Sequence, residues 1–196
     1  MKKILTFFLF SIIFIFNINF SYSIEPDVFI QTTVNRAADT LSSNLSKEER
    51  IEELKQIAKD TVDISGIGLY SLGSHRKNLD KKQLLDYKAV FKKYFLKSFS
   101  SRLAEYSNPE IEIISKNKIN KNYTIVLSKL VRTENRPEVK IEWRVYTKNP
   151  ENLMIRDLII EGLSLARTQK EEFNSIINSN DGNIEALLEN LTNFSS

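Results

Sequence analysis

Residues 80–106 read DKKQLLDYKAVFKKYFLKSFSSRLAEY, residues 110–114 read EIEII, and the change of period between them decides the fold. In the first stretch apolar side chains recur every three or four residues, which predicts a long amphipathic helix. Asp80 and Gln83 have capping-box spacing at its start, and Asn108-Pro109 marks its end. In the second stretch isoleucine alternates with glutamate, which predicts a strand with one buried face. The apolar stripe of the helix consists of Leu84, Tyr87, Phe91, Phe95, Phe99, Leu103 and Tyr106.

Three further strands are predicted downstream of this junction. The first follows the turn Asn120-Lys121-Asn122 and is apolar on both faces, with its main buried face assigned to the odd-numbered residues. The second follows Asn135-Arg136-Pro137 and alternates with charged residues, and the third spans Leu153 to Glu161 before Gly162 ends the sheet. Short links favour an antiparallel meander. The apolar residues of the first strand are Tyr123, Ile125, Leu127 and Val131 with Val126 and Leu130 opposite, and those of the second are Val139, Ile141, Trp143 and Val145.

Helices are predicted on both sides of the strands. Pro26 suits the first position of one whose apolar face extends to Leu45. Ser46 and Glu49 form a second capping box, whose helix runs toward Asp63. The regular pattern is then interrupted by Gly66, Gly68 and Gly73. After the sheet, one helix includes Leu165, Phe173, Ile176 and Ile177, and a last one runs from about Asn183 to Leu191.

The order of helices, strands and helices predicts an α+β fold. We expect a curved antiparallel sheet of about four strands packed with helices. Residues 24–196 suit one domain, because their number is enough to bury a sizeable core.

The first 23 residues have the pattern of a secretory signal peptide. Lys2 and Lys3 supply the positive start, an almost unbroken apolar run extends from Ile4 to Phe16, and Ser21-Tyr22-Ser23 offers small residues for cleavage after Ser23. The alternative is a membrane anchor, but this run is shorter than the roughly 20 residues of a spanning helix. We therefore expect an exported, periplasmic protein.

The composition excludes several kinds of site. Cysteine is absent, so neither disulfides nor thiolate metal ligands are available. His75 is the only histidine, and no carboxylates have calcium-loop spacing. We expect neither a bound metal nor a cofactor.

Positive charge is concentrated in the middle of the chain. Residues 76–148 hold 18 basic and 8 acidic residues, whereas residues 24–75 hold 5 and 9 and residues 149–196 hold 3 and 8. In an exported protein such a zone favours lipid headgroups or an acidic partner over nucleic acid. The simpler interpretation, that these are solvated faces, accounts for most of the lysines.

One motif raises the alternative of a serine esterase or phospholipase. Gly162-Leu163-Ser164-Leu165-Ala166 nearly matches the G-x-S-x-G nucleophile elbow but lacks its last glycine. His75 precedes Ser164, contrary to the order in α/β-hydrolases, and the sheet is predicted to be antiparallel. We interpret Ser164 as a helix cap and Asp157 as a capping or salt-bridge residue, and we expect no catalytic residue.

Three separated blocks carry a family resemblance. The first is Val62-Asp63-Ile64-Ser65-Gly66-Ile67 with Leu72-Gly73-Ser74-His75-Arg76 and the stripe from Gln83 to Phe99. The second is Asp157 with Glu161-Gly162-Leu163-Ser164-Leu165, and the third is Phe173 with the run from Asp181 to Leu188. In order and spacing they resemble the MlaC-type family of periplasmic phospholipid carriers, also called the toluene-tolerance auxiliary family. Arg76 and Leu153 depart from it, standing where that family often has tryptophan.

The resemblance implies a non-enzymatic carrier that encloses the acyl chains of a phospholipid in an apolar pocket. It implies partners in an inner-membrane ABC transporter complex with MCE domains and an outer-membrane lipoprotein complex, and a role in outer-membrane lipid asymmetry. A hopanoid-like ligand and a plain protein-interaction module remain alternatives. The predicted pocket residues are Ile67, Leu72, Phe91, Phe95, Phe99, Leu103, Ile125, Leu127, Ile141, Trp143, Val145, Ile159 and Phe173.

Overall fold

The computed structural model describes residues 24–106, 109–134 and 136–196. The predicted signal peptide lies outside these residues, as do Asn108 and Asn135 of two predicted turns. The helices are α1 (Pro26–Ser42), α2 (Lys47–Thr61), α3 (Ile64–Ser71), α4 (Lys81–Leu103), α5 (Leu165–Asn178) and α6 (Ile184–Ser195). The strands are β1 (Ile111–Asn120), β2 (Tyr123–Leu130), β3 (Val139–Tyr146), β4 (Met154–Ile160) and β5 (Leu163–Ser164).

Both predicted capping boxes are present. The Ser46 hydroxyl accepts from the Glu49 amide at the start of α2, and the Asp80 carboxylate accepts from the Gln83 amide at the start of α4. In each case the third helical side chain bonds back to the cap amide. These local signals set the helix starts, whereas two predicted helix ends were too late. α1 stops before Leu45, and α4 stops before Tyr106.

The glycine-containing segment after α2 is a helix, contrary to the predicted interruption. Asp63 caps α3 by accepting from the Gly66 amide at 2.8 Å. A Cβ on Gly68 would lie 2.7 Å from the Phe91 ring, so the glycine lets α3 approach α4 closely. Tertiary packing therefore overrides the low helix propensity of glycine here.

The five strands form one antiparallel sheet in the order β1-β2-β3-β4-β5, which confirms the α+β meander. β5 is an addition to the predicted sheet, which does not end at Gly162. Gly162 has φ +82° and lies in the tight turn between β4 and β5. The left-handed conformation there suits glycine.

The prediction of which face of β2 is more deeply buried was wrong. Val126 is fully buried opposite Trp143, whereas Ile125 and Leu127 are half-buried and lie opposite Arg144 and Glu142. Directly paired residues of an antiparallel sheet share a face. The helix-covered inner face of the sheet therefore carries Val126, Ile141, Trp143 and Val145, and the outer face carries Ile125 and Leu127.

β1 is an edge strand with two irregularities. Its register against β2 shifts between Ile113 and Ser115 and again between Lys118 and Asn120. Ile114 and Ile119 are the extra residues, and they are 54% and 52% exposed. The first shift brings Lys116 to the inner side, where its ammonium pairs with Glu25 and Asp27 at the start of α1.

One apolar cluster joins the helices to the inner face of the sheet. α1 contributes Ile30 and Val34, and α5 and α6 contribute Phe173, Ile177, Leu187 and Leu191. A smaller cluster packs α1, α2 and the end of α4 through Leu41, Leu54, Ile57 and Leu103. Among the described residues, every helix is too short or too polar to span a bilayer.

Candidate functional site

A row of aromatic rings runs along the inner side of α4. The Tyr87 and Phe91 centroids are 5.7 Å apart, those of Phe91 and Phe95 are 6.1 Å apart, and those of Phe95 and Phe99 are 5.6 Å apart. Phe173 of α5 meets the Phe91 ring edge-on at 6.0 Å. Offset and edge-on aromatic pairs of this kind are favourable in apolar interiors. The row connects Tyr87 and Phe91, which are almost fully buried, with the half-buried Phe95 and Phe99.

The inner face of the sheet belongs to the same cluster as this aromatic row. Trp143 is 8% exposed, and its indole N–H donates to the Ser128 hydroxyl at 2.8 Å. Ser128 in turn donates to the Ile141 carbonyl at 3.3 Å. The polar atoms of this pair are therefore satisfied, and apart from Thr124 and Lys116 the surrounding inner face is mainly apolar.

A cleft of about 330 Å³ opens at one end of the aromatic row. This size is at the lower end of the range for small-molecule sites, about 300–1,000 Å³. Its apolar lining comes from α2 to α4 and the start of β4, and three lysines also line it. The lining includes Val62, Ile64, Gly68, Tyr87, Phe91, Met154, Lys59, Lys88 and Lys92.

The inner end of the cleft is closed by the contact between α3 and α4. The Tyr87 hydroxyl donates to the Gly68 carbonyl at 2.8 Å, and Tyr87 and Phe91 are 0% and 1% exposed. Burial raises the pKa of the Tyr87 phenol far above its ordinary value, so it stays a hydrogen-bond donor. The Phe91 ring therefore separates the cleft from the packed core beneath α4.

A backbone bridge and an ion pair hold the α2–α3 junction against β4 beside the same cleft. Val62 forms a parallel bridge with Ile155, and the Asp63 carboxylate accepts from the Arg156 Nε at 2.7 Å. Arg156 also donates to the Tyr123 hydroxyl at 2.9 Å and stacks over Tyr146 at 3.6 Å from the ring centroid. Asp63 is thus fully engaged by Arg156 and by the cap of α3.

The structure brings most of the predicted pocket residues together. Nine lie in or against the main cluster, one lies in the smaller cluster, and three lie on the outer face of the sheet. The first group contains Ile67, Leu72, Phe91, Ile141, Trp143, Val145 and Phe173, with Phe95 and Phe99 packed against them. Leu103 packs in the smaller cluster, and Ile125, Leu127 and Ile159 share the outer face with Glu142.

Of the predicted pocket residues Phe91 lines the cleft, and the other lining residues were not predicted. Lys59 and Met154 are 95 positions apart in the chain, and only the fold brings them to one cavity. The sequence did contain one signal for the cleft. Lys88 follows Tyr87 and Lys92 follows Phe91, so the same apolar–lysine pair occurs twice, four residues apart. A helix presents such pairs on adjoining stripes.

Ser164 has the geometry of a helix cap. Its hydroxyl accepts from the Arg167 amide at 3.1 Å and donates to the Asp157 carboxylate at 2.6 Å. Asp157 also accepts from the Ala166 amide at 3.0 Å, and Arg144 lies 3.5 Å from it. The Ser164 hydroxyl therefore caps the start of α5, as the capping interpretation predicted. It bonds directly to Asp157, whereas a catalytic triad would have a histidine between the serine and the acid.

Ser164→Ala tests this assignment. Because the substitution removes one cap acceptor, we expect the free energy of unfolding to fall by about 0.5–2 kcal/mol. Ester hydrolysis should be undetectable in both proteins. Urea unfolding measures the first effect and a chromogenic ester assay the second. An esterase activity of the wild type that disappears in the variant would contradict the capping role.

Acidic side chains in the described ranges do not assemble into a metal centre. No group of three or more histidine, aspartate or glutamate side chains lies close enough there to hold an ion. A second cavity, of about 440 Å³, is a shallow depression beside Leu45 lined by Glu48, Glu49, Glu52 and Glu53. It has no basic residue and no connection to the aromatic row.

A family model and a solved structure both match this chain. The family model described as MlaC protein matches residues 31–193. A solved structure of the phospholipid-binding protein from Ralstonia solanacearum, in complex with a phospholipid, superposes with a TM-score of 0.73. The two chains are 18% identical, and the match covers 88% of this chain and 97% of the other. The sequence matches no curated protein.

Proposed function

Because the chain belongs to the MlaC family, we propose that it is a periplasmic carrier that binds one phospholipid by its acyl chains. The observation that carries this proposal is the aromatic row that leads from Phe91, in the floor of the cleft, to Phe95 and Phe99 beneath α4. The acyl chains enter past Phe91 and lie between this row and the inner face of the sheet. The related protein from Ralstonia solanacearum supports this function, since it was solved with a phospholipid.

Hydrophobic transfer supplies the binding energy. Burial of each methylene away from water contributes about 0.8 kcal/mol, so a dry interior can hold a fatty chain that is otherwise insoluble. The cleft alone is too small for two such chains, since its volume is about 330 Å³. The aromatic side chains must therefore turn aside on binding, and their packing energy opposes the gain. This opposition favours release when a partner holds the protein open.

The partners follow from the family rather than from any contact in this chain. We propose that the protein receives lipid from, or delivers it to, an inner-membrane ABC transporter complex with MCE domains, and exchanges it with an outer-membrane lipoprotein complex. In this role it helps to maintain the lipid asymmetry of the outer membrane. The chemistry is binding and transport, and it needs no catalytic residue.

Export is the first requirement of this proposal. Cleavage after Ser23 should give a mature N-terminus at Ile24. Intact-mass measurement of protein recovered from periplasmic extract checks the expected N-terminus. Full-length protein recovered only in washed inner membranes would contradict a diffusible carrier.

Phe95→Trp tests whether the aromatic row lines the lipid. A larger ring in space that the lipid occupies competes with the lipid, whereas overpacking of a filled core costs about 1–3 kcal/mol. We expect Phe95→Trp to lower the amount of co-purifying phospholipid several-fold, with a small change in melting temperature. Native mass spectrometry counts the bound lipid, and thermal denaturation reports the stability.

Leu127→Trp is the matched control, because Leu127 lies on the outer face of the sheet. It should leave the bound phospholipid unchanged. A wild-type protein that contains no phospholipid, even after incubation with vesicles, would contradict the carrier proposal. The apolar row would then be an ordinary core, and the protein-interaction module would become the better hypothesis.

A further inference from the structure

The lysines of the cleft lack acidic partners. Lys59, Lys88 and Lys92 line one cavity, and none of them forms an ion pair within 4.0 Å in the described part of the chain. Asp63 is the carboxylate in the lining, and Arg156 and the Gly66 amide already engage its two oxygens. Among the described residues, the three cleft lysines therefore carry positive charge that no close ion pair neutralises.

Neighbouring carboxylates are committed to other cations. Asp60 pairs with Arg36 at 2.9 Å, and Asp86 pairs with Lys82 at 3.0 Å. Glu52 pairs with Lys55 at 2.6 Å, and both Glu52 and Asp60 also attract Lys59 at longer range. These pairs leave the three cleft lysines as the available charges on this side of α2 and α4.

The arrangement of the three lysines fits an anion. Lys88 and Lys92 are four residues apart on α4, a spacing at which like charges repel and an intervening anion relieves the repulsion. The apolar walls of Val62, Ile64 and Phe91 are low-dielectric surfaces, which strengthen the electric field of the lysines on one side of the cleft. Lysine binds phosphate as a mobile point charge and needs no rigid geometry to do so.

We propose that Lys59, Lys88 and Lys92 form a phosphate site for the headgroup of the bound lipid. The inference rests on the proposed function and extends it, because it gives the carrier a headgroup preference. A phosphate at the mouth of the cleft places the acyl chains against Phe91, the start of the aromatic row. A headgroup with net negative charge is favoured over one that carries its own ammonium group, because that ammonium group is repelled by the lysines.

The chain offers matched control residues. Lys81 and Lys93 are exposed on the same helix as Lys88 and Lys92 and do not line the cleft. We compare two double variants, Lys88→Gln/Lys92→Gln and Lys81→Gln/Lys93→Gln. Each therefore removes two positive charges from the same helix. The two double variants differ in whether the charge borders the cavity.

The test is lipid competition with the full mature chain. Each protein is incubated with vesicles of equal amounts of phosphatidylglycerol and phosphatidylcholine, and native mass spectrometry gives the ratio of the two bound lipids. We expect wild type and the Lys81/Lys93 variant to favour phosphatidylglycerol, and the Lys88/Lys92 variant to lose about fivefold of that preference. Melting temperatures confirm that all three proteins are folded.

Separate outcomes decide the two proposals. Lipid uptake by all three proteins with one common headgroup ratio would overturn the phosphate site and leave the carrier function standing. Absence of lipid from every protein would overturn the carrier function and the headgroup site with it. Titration with inorganic phosphate distinguishes the source of the anion. Its binding to wild type, together with an unchanged headgroup ratio in the Lys88/Lys92 variant, would assign the site to free phosphate.

Discussion

Phe91→Ala is expected to lower the free energy of unfolding by about 3–5 kcal/mol, the range for deleting a buried phenylalanine ring. The Phe91 side chain is 1% exposed and contacts the rings of Tyr87, Tyr94, Phe95 and Phe173. Urea unfolding of protein refolded without lipid measures the loss. A change below about 1 kcal/mol would mean that the neighbouring rings collapse into the space, and that Phe91 does not hold the cleft floor in place.

Gly68→Ala, made both in wild type and in the Phe91→Ala variant, tests whether an added methyl group at position 68 meets the Phe91 ring. Alone, it should destabilise the protein by about 1–3 kcal/mol, because its Cβ would lie 2.7 Å from the Phe91 ring. Combined with Phe91→Ala the clash disappears, and alanine should gain about 0.5–1 kcal/mol from its better helix propensity. Equal costs of Gly68→Ala in the two backgrounds would show that the ring is not what the new methyl group meets.

Asp157→Ala is expected to cost about 3–6 kcal/mol, because two hydrogen bonds to a buried carboxylate are lost at about 1.5–3 kcal/mol each. The side chain is 2% exposed and accepts from the Ser164 hydroxyl and the Ala166 amide. Ala166 is itself buried, so its amide is left without a partner. Urea unfolding gives the magnitude, and loss of helical circular dichroism reports fraying of α5.

Asp157→Asn provides the graded control. The amide oxygen still accepts one hydrogen bond, whereas the amide nitrogen cannot accept the other. We therefore expect about half the loss of the alanine variant. Identical stabilities of the two variants would assign the effect to the charge facing Arg144 rather than to the cap of α5.

Local signals in the sequence predicted most of the elements. The capping boxes at Ser46 and Asp80 act within one helical turn, so they can be recognised without knowing the fold. The strict alternation around Trp143 likewise identified β3 and its buried face. The sequence also indicated Ser164 as a cap, because the elbow motif lacks its last glycine, His75 precedes Ser164 and the sheet was predicted to be antiparallel.

Features that depend on tertiary contacts were not predictable in the same way. α3 forms despite Gly66 and Gly68 because the missing side chain admits the Phe91 ring. In β2 both faces are apolar, so the pattern alone did not identify Val126 rather than Leu127 as the deeply buried residue. The cleft was not predicted because its lining comes from three segments that are distant in sequence.

The two extra isoleucines of β1 affect how copies of this chain behave toward one another. The open edge of a sheet is a template on which another chain can add a strand, the first step toward aggregation. Ile114 and Ile119 interrupt the hydrogen-bonding ladder twice, and Lys118 adds charge to the segment between them. Bulges and edge lysines both oppose strand addition. The sheet can thus keep one edge uncovered at high protein concentration without offering a regular strand for self-assembly.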